Sequence, residues 1–276
     1  MSIVARFSVQ RQHDTIAGAF SLTALGIPVV VIAALASGAG FNGANLADLW
    51  PFLVIGVFVP GMNQLAFLYA VRMAGPSRTG LMIGTFPILA ALIAVIFLDE
   101  PLQAALVVGT MLIVLGGVLL TGERSRPVGF RALGLVFAFA VAVGLGSRDN
   151  IVRWAAPESP ASILTEISLI VVAASAGLLV FLVIESRGLV SAMRRARASF
   201  LPYAPTGLVA IALTITIVLA LERGRVTVVS PLAATQALWA VALAALVFGR
   251  RESIGWRLVL AAIVVTLGSV LVSVTR

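Results

Sequence analysis

The sequence predicts an all-α polytopic membrane protein made of two inverted five-helix repeats, the first of which lacks its first helix in the chain as written. Three observations predict it. Apolar runs long enough to cross a bilayer follow one another along the whole chain, charge is almost absent from them, and an acid-bearing turn near residue 100 recurs near residue 252.

The chain of 276 residues is 61% hydrophobic and 11% charged, with a mean hydropathy of +1.12, whereas a soluble domain is about a quarter charged. A hydrocarbon core about 30 Å thick takes roughly 20 apolar residues per helix. Nine runs satisfy this: 15–36, 50–72, 78–98, 102–121, 131–147, 160–184, 202–221, 226–248 and 254–274. A spanning β-barrel would show alternating segments of about ten residues, and these runs are apolar on every side.

The first run follows Arg6 and Arg11 and contains "ALAS" near its end, but its 22 residues exceed the apolar core of a signal peptide, so it reads as a retained span. The second contains the Pro60-Gly61 pair, which loosens a helix and frees backbone carbonyls. The turn "RMAGPSR" leads into the third, and "LDEP" separates the third from the fourth. There Pro101 suits the first turn of the next helix, with Asp99 and Glu100 beside the positive end of its dipole. The two longest connections are expected at 37–49 and 185–201, and the short ones force sequential helices to run antiparallel. The run 160–184 carries Glu166, the one formal charge away from the ends of the nine runs.

A shift of 152 superimposes Glu100 on Glu252 and Gly116 on Gly268, and gives nine identities between 66–121 and 218–273. Each half has a span, a tight turn, a span, an acid-bearing turn and a final glycine-bearing span. A shift of 148 sets "SIVARFSVQRQHDTIAGAFSL" against "NIVRWAAPESPASILTEISLI". In the second half the run 131–147 precedes that point, and in the first half only Met1 does. The expectation is therefore a repeat over 1–122 with four spans and one over 123–276 with five, the natural start lying upstream or the helix having been lost; a genuine nine-helix protein is the rival reading.

The stretch "FLDEPLQAALVVGTMLIVLGGVLL", Phe97 to Leu120, resembles the end of the EamA repeat of the drug/metabolite transporter superfamily. In that family a span closes on a Gly-Glu-Arg-like turn before a glycine-rich last helix. Here the turns read Asp99-Glu100-Pro101 and Arg251-Glu252-Ser253, which keep the glutamate and lose the flanking glycine and arginine. The resemblance implies a ten-helix inner-membrane carrier that exports small metabolites such as amino acids or their analogues.

All nineteen basic residues are arginines, fourteen of them near span ends on one side and five on the other. The positive-inside rule puts the fourteen, among them Arg72, Arg78, Arg194, Arg195 and Arg197, in the cytoplasm. The N-terminus as written is then cytoplasmic and the C-terminus outside, and the turns at Glu100 and Glu252 fall on opposite faces. The resemblance implies the reverse for the C-terminus, since such carriers often have both termini inside. With the basic residues explained by orientation, nucleic acid is not an expected partner.

Candidate substrate-lining residues are Asn63, Gln64, Thr85, Glu166, Gln236 and Trp239. An acid at membrane depth usually faces the interior of a bundle, and Glu166 counts seven residues into its span from Pro160, so it is the candidate proton-titrated group. Its alternative is an acid near a helix end that reaches interfacial water or pairs with Arg153. Asn63 and Gln64 follow the Pro60-Gly61 pair, and interrupted helices are where carriers place their sites. Gln236 and Trp239 lie one turn apart on one face, with Thr85 and Pro87 in the corresponding part of the other half. For all of these the alternative is interhelical hydrogen bonding. Asp99, Glu100, Pro101 and Glu252 are read as structural, marking helix starts and the repeat.

Cysteine is absent and His13 is the single histidine, so no disulfide framework, metal cluster or Cys/His dyad is expected. No phosphate loop occurs, which leaves an ion gradient or facilitated exchange to drive transport. The expected function is secondary transport of a small polar metabolite, by alternating access, with no cofactor, no catalytic or metal residues, and the bilayer, the substrate and protons as partners. The alternatives are a non-transporting sensor or assembly subunit and, with far less equipment, an intramembrane enzyme. The sequence sets no oligomeric state.

Overall fold

The computed structural model describes residues 1–43, 45–97, 104–121, 129–155, 159, 161–223, 235–249 and 255–274. Every regular element among the described residues is helical. In chain order these are α1 (Ser2–Arg11), α2 (Thr15–Ala24), α3 (Gly26–Ala36), α4 (Leu46–Gly56), a π-helical turn (Val57–Met62) and α5 (Asn63–Ala74). There follow α6 (Pro76–Ile83), α7 (Phe86–Phe97), α8 (Ala104–Thr121), α9 (Leu133–Ala155), α10 (Ile163–Glu185), α11 (Leu189–Arg223), α12 (Gln236–Phe248) and α13 (Trp256–Val274). Thr15–Ala36, Ala47–Ala74, Ile163–Glu185 and Leu189–Thr216 are long and apolar enough to cross a membrane, and Val107–Gly116, Leu133–Arg148, Gln236–Phe248 and Trp256–Leu271 are shorter apolar helices.

The structure differs from the sequence reading in several places: Ser2–Arg11, ahead of the first run, is helical, and the run 15–36 is two helices, α2 and α3, that meet at Leu25. The run expected at 78–98 is two helices, α6 and α7, broken at Gly84 and Thr85. The connection expected at 185–201 is helical from Leu189 onward. Alanine and arginine favour helix, and Arg194 and Arg197, which help make this stretch look like a loop, lie on the opposite side from Ala192, Ala196 and Ser199, which are buried. Ser21 Oγ donates to the Ala196 carbonyl at 3.1 Å, so tertiary packing fixes what hydropathy leaves open.

Two helix ends show the same closure. After α3, Ala39 N–H reaches Ala34 O (2.9 Å) and Gly38 N–H reaches Leu35 O (3.2 Å), a Schellman motif with Gly38 at φ +69. After α10, Gly188 N–H reaches Val183 O and Arg187 N–H reaches Ile184 O, with Arg187 in the same left-handed region at φ +55.

The chain divides into two compact units, each drawing on both halves of the sequence: Ile3–Leu68 with Arg148–Thr216, and Tyr69–Ser147 with Ile217–Arg276, Met1 and Ser2 being assigned to the first and the second. In the first, α10 packs against α2, α3, α4 and the π-helical turn. Glycines allow the backbones to approach: a Cβ at Gly207 would lie 2.8 Å from Leu22 O, and one at Gly56 would overlap Ile170 O. Helix α1 lies along α11, with Ser8 Oγ 2.8 Å from Thr206 Oγ1 and Tyr203 Oη donating to Gln12 O at 2.9 Å. At one end, Asp14 caps α2 by accepting from Ala17 N–H at 3.0 Å. It also takes Arg195 Nε at 2.6 Å and Nη2 at 3.0 Å, while Arg195 Nη1 bonds Glu185 and Ser186. Burial would raise the Asp14 pKa, but the Arg195 guanidinium and the Ala17 amide together hold it below the usual carboxylate range.

In the second unit, α8 and α13 run antiparallel and α12 packs on α6. The core gathers Leu81, Ala237, Val241, Leu258, Ala261, Ala262 and Val265. A Cβ at Gly116 would meet Val265 and Ala261 O (3.1 Å), and one at Gly268 would meet Ile113 (2.8 Å) and Gly109 O (2.7 Å). Without a hydrophobic force between helices in lipid, such close approach is what holds them together.

Two outcomes follow from this packing. Gly268→Ala drives a methyl into the Gly109 carbonyl and is expected to cost about 1–3 kcal/mol, measured as a lower melting temperature of the purified chain. Asp14→Asn keeps a capping side chain but loses the ion pair. Because the folded pKa of Asp14 is depressed, its contribution is present above the unfolded value and lost as pH falls through the folded one. The melting-temperature gap between wild type and Asp14→Asn is therefore expected at pH 6 and should close below about pH 4; a gap that persists in acid would contradict the assignment.

Candidate functional site

Glu166 lies in the first turn of α10, which begins at Ile163. This is shallower than a count from Pro160 gives, because the chain up to Ser162 is used to cap the helix. Ser162 Oγ accepts from Thr165 N–H, and the turn beyond α3 is strapped onto this helix start. Ser162 N–H donates to Gly40 O at 3.1 Å, and Thr165 Oγ1 donates to the same oxygen at 3.3 Å. The Glu166 side chain is 4% exposed and is hydrogen-bonded by Ser159. Among the described residues no arginine pairs with it. A buried carboxylate at the positive end of a helix dipole can accept a proton or hold a cationic group.

One turn further along, α10 meets the interruption between α4 and α5. Val59 leaves helical geometry at φ −141, ψ 104, and Pro60 removes one donor. Gly56 sits against Ile170 and Ala173, a Cβ at Gly61 would lie 3.5 Å from Ala174 Cα, and Val57 lies against Gly177. Asn63 and Gln64 are the first residues of α5 and are half-buried. The first unit thus brings Glu166, Asn63 and Gln64 onto two packed elements, one of which is discontinuous, as the Pro60-Gly61 pair suggests.

Thr85, Gln236 and Trp239 belong to the second unit. Thr85 is buried and spends its hydroxyl on Met82 O at 2.7 Å, closing the turn that separates α6 from α7. The carbonyl freed at Gly84 is taken by Ser269 Oγ at 2.8 Å. Gly84 and Gly80 face Ala237 and Ala240 of α12. Gln236 and Trp239 lie off that contact, Gln236 exposed and Trp239 63% exposed, so the amide and the indole share an open side of α12. Asp99, Glu100, Pro101 and Glu252 lie outside the described residues, as does the side chain of Arg153.

Sequence reasoning missed the burial of Arg78, counted above among the orienting arginines. Pro76 starts α6 directly after Gly75, at φ +86, so Arg78 is helical and only 2% exposed. Its guanidinium lies 5.9 Å from the centre of the Phe130 ring, a cation–π distance. The Gly-Pro pair is the signal that could have placed it inside a helix. Ser269 also escaped notice, because a single serine in a glycine-bearing span carries no sequence signature until its partner carbonyl is known.

All-helical architecture with span-length apolar helices defines a membrane protein. Residues 1–122 match the model of the EamA-like transporter family, which bears out the likeness seen in Phe97 to Leu120. The aromatic amino acid exporter YddG of Ancylobacter novellus is 34% identical over 117 residues, covering 40% of this chain and 39% of that protein. The matched region is therefore well under half of the exporter's length. A crystal structure of a protein aligns over 99% of this chain and 95% of its own, with a TM-score of 0.58 and 20% identity; at that identity it speaks for the fold alone.

Replacing Ser269 by Ala leaves the Gly84 carbonyl buried without its partner, for which about 1–3 kcal/mol is expected. Thermal unfolding checks it, and an unchanged melting temperature would show that this bond does not brace the α6–α7 break.

Proposed function

We propose that the chain is a secondary transporter that exports a small polar metabolite of the amino acid or analogue class across the inner membrane, as a multi-pass protein working by alternating access. The match of residues 1–122 to the EamA-like transporter family supports transport. The observation that carries the two-repeat architecture is the reciprocal contact of α8 and α13. Under the shift of 152, Gly116 against Val265 and Ala261 becomes Gly268 against Ile113 and Gly109, the same contact seen from each side. Such reciprocity supports a two-fold relation, and the antiparallel course of the two helices agrees with inverted repeats over 1–122 and 123–276. In the other unit Leu22 O lies over Gly207 and Ile170 O over Gly56.

Within this reading Glu166 is the proton-coupled group, and Asn63, Gln64, Thr85, Gln236 and Trp239 are the substrate-lining candidates. The relative's name attaches aromatic amino acids to that exporter, which makes them the first solutes to test here.

The test is counterflow of an amino-acid mixture into liposomes holding the purified chain, with and without a pH gradient. Wild type is expected to exchange at least one solute and to accumulate it with the gradient. Glu166→Gln should keep exchange but lose the gradient's effect by tenfold or more, because a carboxamide cannot release a proton. Exchange of no solute would favour a sensor or assembly subunit, and gradient-driven uptake unchanged in Glu166→Gln would remove that residue from coupling.

A further inference from the structure

The start of α11 places charge and apolar surface together in a way that orientation alone does not explain. Its inner side, Ala192, Ala196 and Ser199, is buried. Val190, Met193, Arg194, Arg197 and Leu201 fall on the opposite side, within an arc of about 100° at 3.6 residues per turn, and all five are exposed. Val190 is 76% and Leu201 80% exposed. Among the described residues, neither Arg194 nor Arg197 has a hydrogen-bond or ion-pair partner.

The level of these arginines follows from Arg195 between them. It bonds Asp14 at the start of the first span and Glu185 and Ser186 at the end of α10. Helix α10 has 23 residues, about 34 Å at 1.5 Å per residue, close to the roughly 30 Å of a hydrocarbon core. Its end, and with it Arg194 and Arg197, therefore lies where hydrocarbon meets headgroups. An arginine on a solvated face would have polar neighbours. Arg194 has Val190 and Ser191 one turn toward the helix start, and Arg197 has Met193 on that side and Phe200 and Leu201 toward the span, so the two arginines interrupt a mostly apolar face.

Arginine in such a place lays its stem along apolar surface and extends its guanidinium to the nearest polar layer, and the planar fork matches phosphate oxygens. We propose that Arg194 and Arg197 bind the phosphate of an anionic phospholipid whose acyl chains run toward the span along the exposed Phe200 and Leu201. The proposal rests on α10 and α11 crossing the membrane and is independent of transport.

The test uses the full chain purified in detergent with equal amounts of phosphatidylglycerol and phosphatidylcholine, read by native mass spectrometry. Wild type is expected to retain phosphatidylglycerol over phosphatidylcholine. At about five-fold per arginine, Arg194→Gln with Arg197→Gln should lower that retention roughly 25-fold, while Arg194→Lys with Arg197→Lys keeps most of it. Arg195 is untouched in both, so the ion pair with Asp14 stays and the melting temperature of each variant checks the fold. Equal retention of the two lipids by wild type, undiminished retention by the glutamine pair, or displacement of the lipid by millimolar inorganic phosphate would each overturn the proposal. If the glutamine pair does not fold, Arg194→Gln and Arg197→Gln taken singly carry the test, each expected to lower retention about five-fold, and undiminished retention in both would overturn the proposal.

Discussion

In a bilayer, apolar side chains gain nothing by leaving lipid for protein, so helices associate only where their backbones come close enough for packing and polar contact to act. Everything described here hangs on that constraint. It is why Gly116 and Gly268 lie at the α8–α13 contact, Gly84 and Gly80 under α12, and Gly56 and Gly207 against the carbonyls of Ile170 and Leu22. A methyl group at most of these positions would meet another backbone or a rigid side chain, and the units would have to open. Gly116 and Gly268, 152 residues apart, each lie against the helix that carries the other.

Close packing leaves no water to satisfy a backbone that departs from helical geometry. The break between α6 and α7 and the start of α10 are each accompanied by groups that take up what they free. Ser269 accepts the task at Gly84, Thr85 closes its own turn onto Met82, and Ser162 and Thr165 both bond Gly40. The π-helical turn at Val57–Met62 lies against α10 one turn beyond Glu166. A carboxylate at a helix start and a discontinuous helix beside it are the ingredients with which a helical bundle can bind and release a small polar solute.

Charge is confined to the ends of the spans, where it does three different things. Arg195 is consumed by Asp14, Glu185 and Ser186 and ties three helix termini together. Arg78 is folded inward against Phe130. Arg194 and Arg197 face outward among apolar neighbours. On α11, arginines that a positive-inside count treats alike are separated by one or two positions, and a rotation of 100° per residue turns Arg195 toward Asp14 and Arg194 and Arg197 away from it.

The sequence by itself determined the class of fold, because hydropathy and the length of apolar runs depend only on composition along the chain. It also determined the EamA likeness of Phe97 to Leu120 and, through Pro60-Gly61, the place where α4 and α5 part. Glu166 stood out because an acid is rare in an apolar run. What it could not determine were features created by partners distant in sequence. The helix from Leu189 needs Ser21 and Ala17 beside it, the break at Gly84 needs Ser269, and the capped start of α10 needs Gly40. Only tertiary structure decided these, because each depends on a backbone group whose partner lies a hundred residues or more away, and local pattern carries no record of such a pairing.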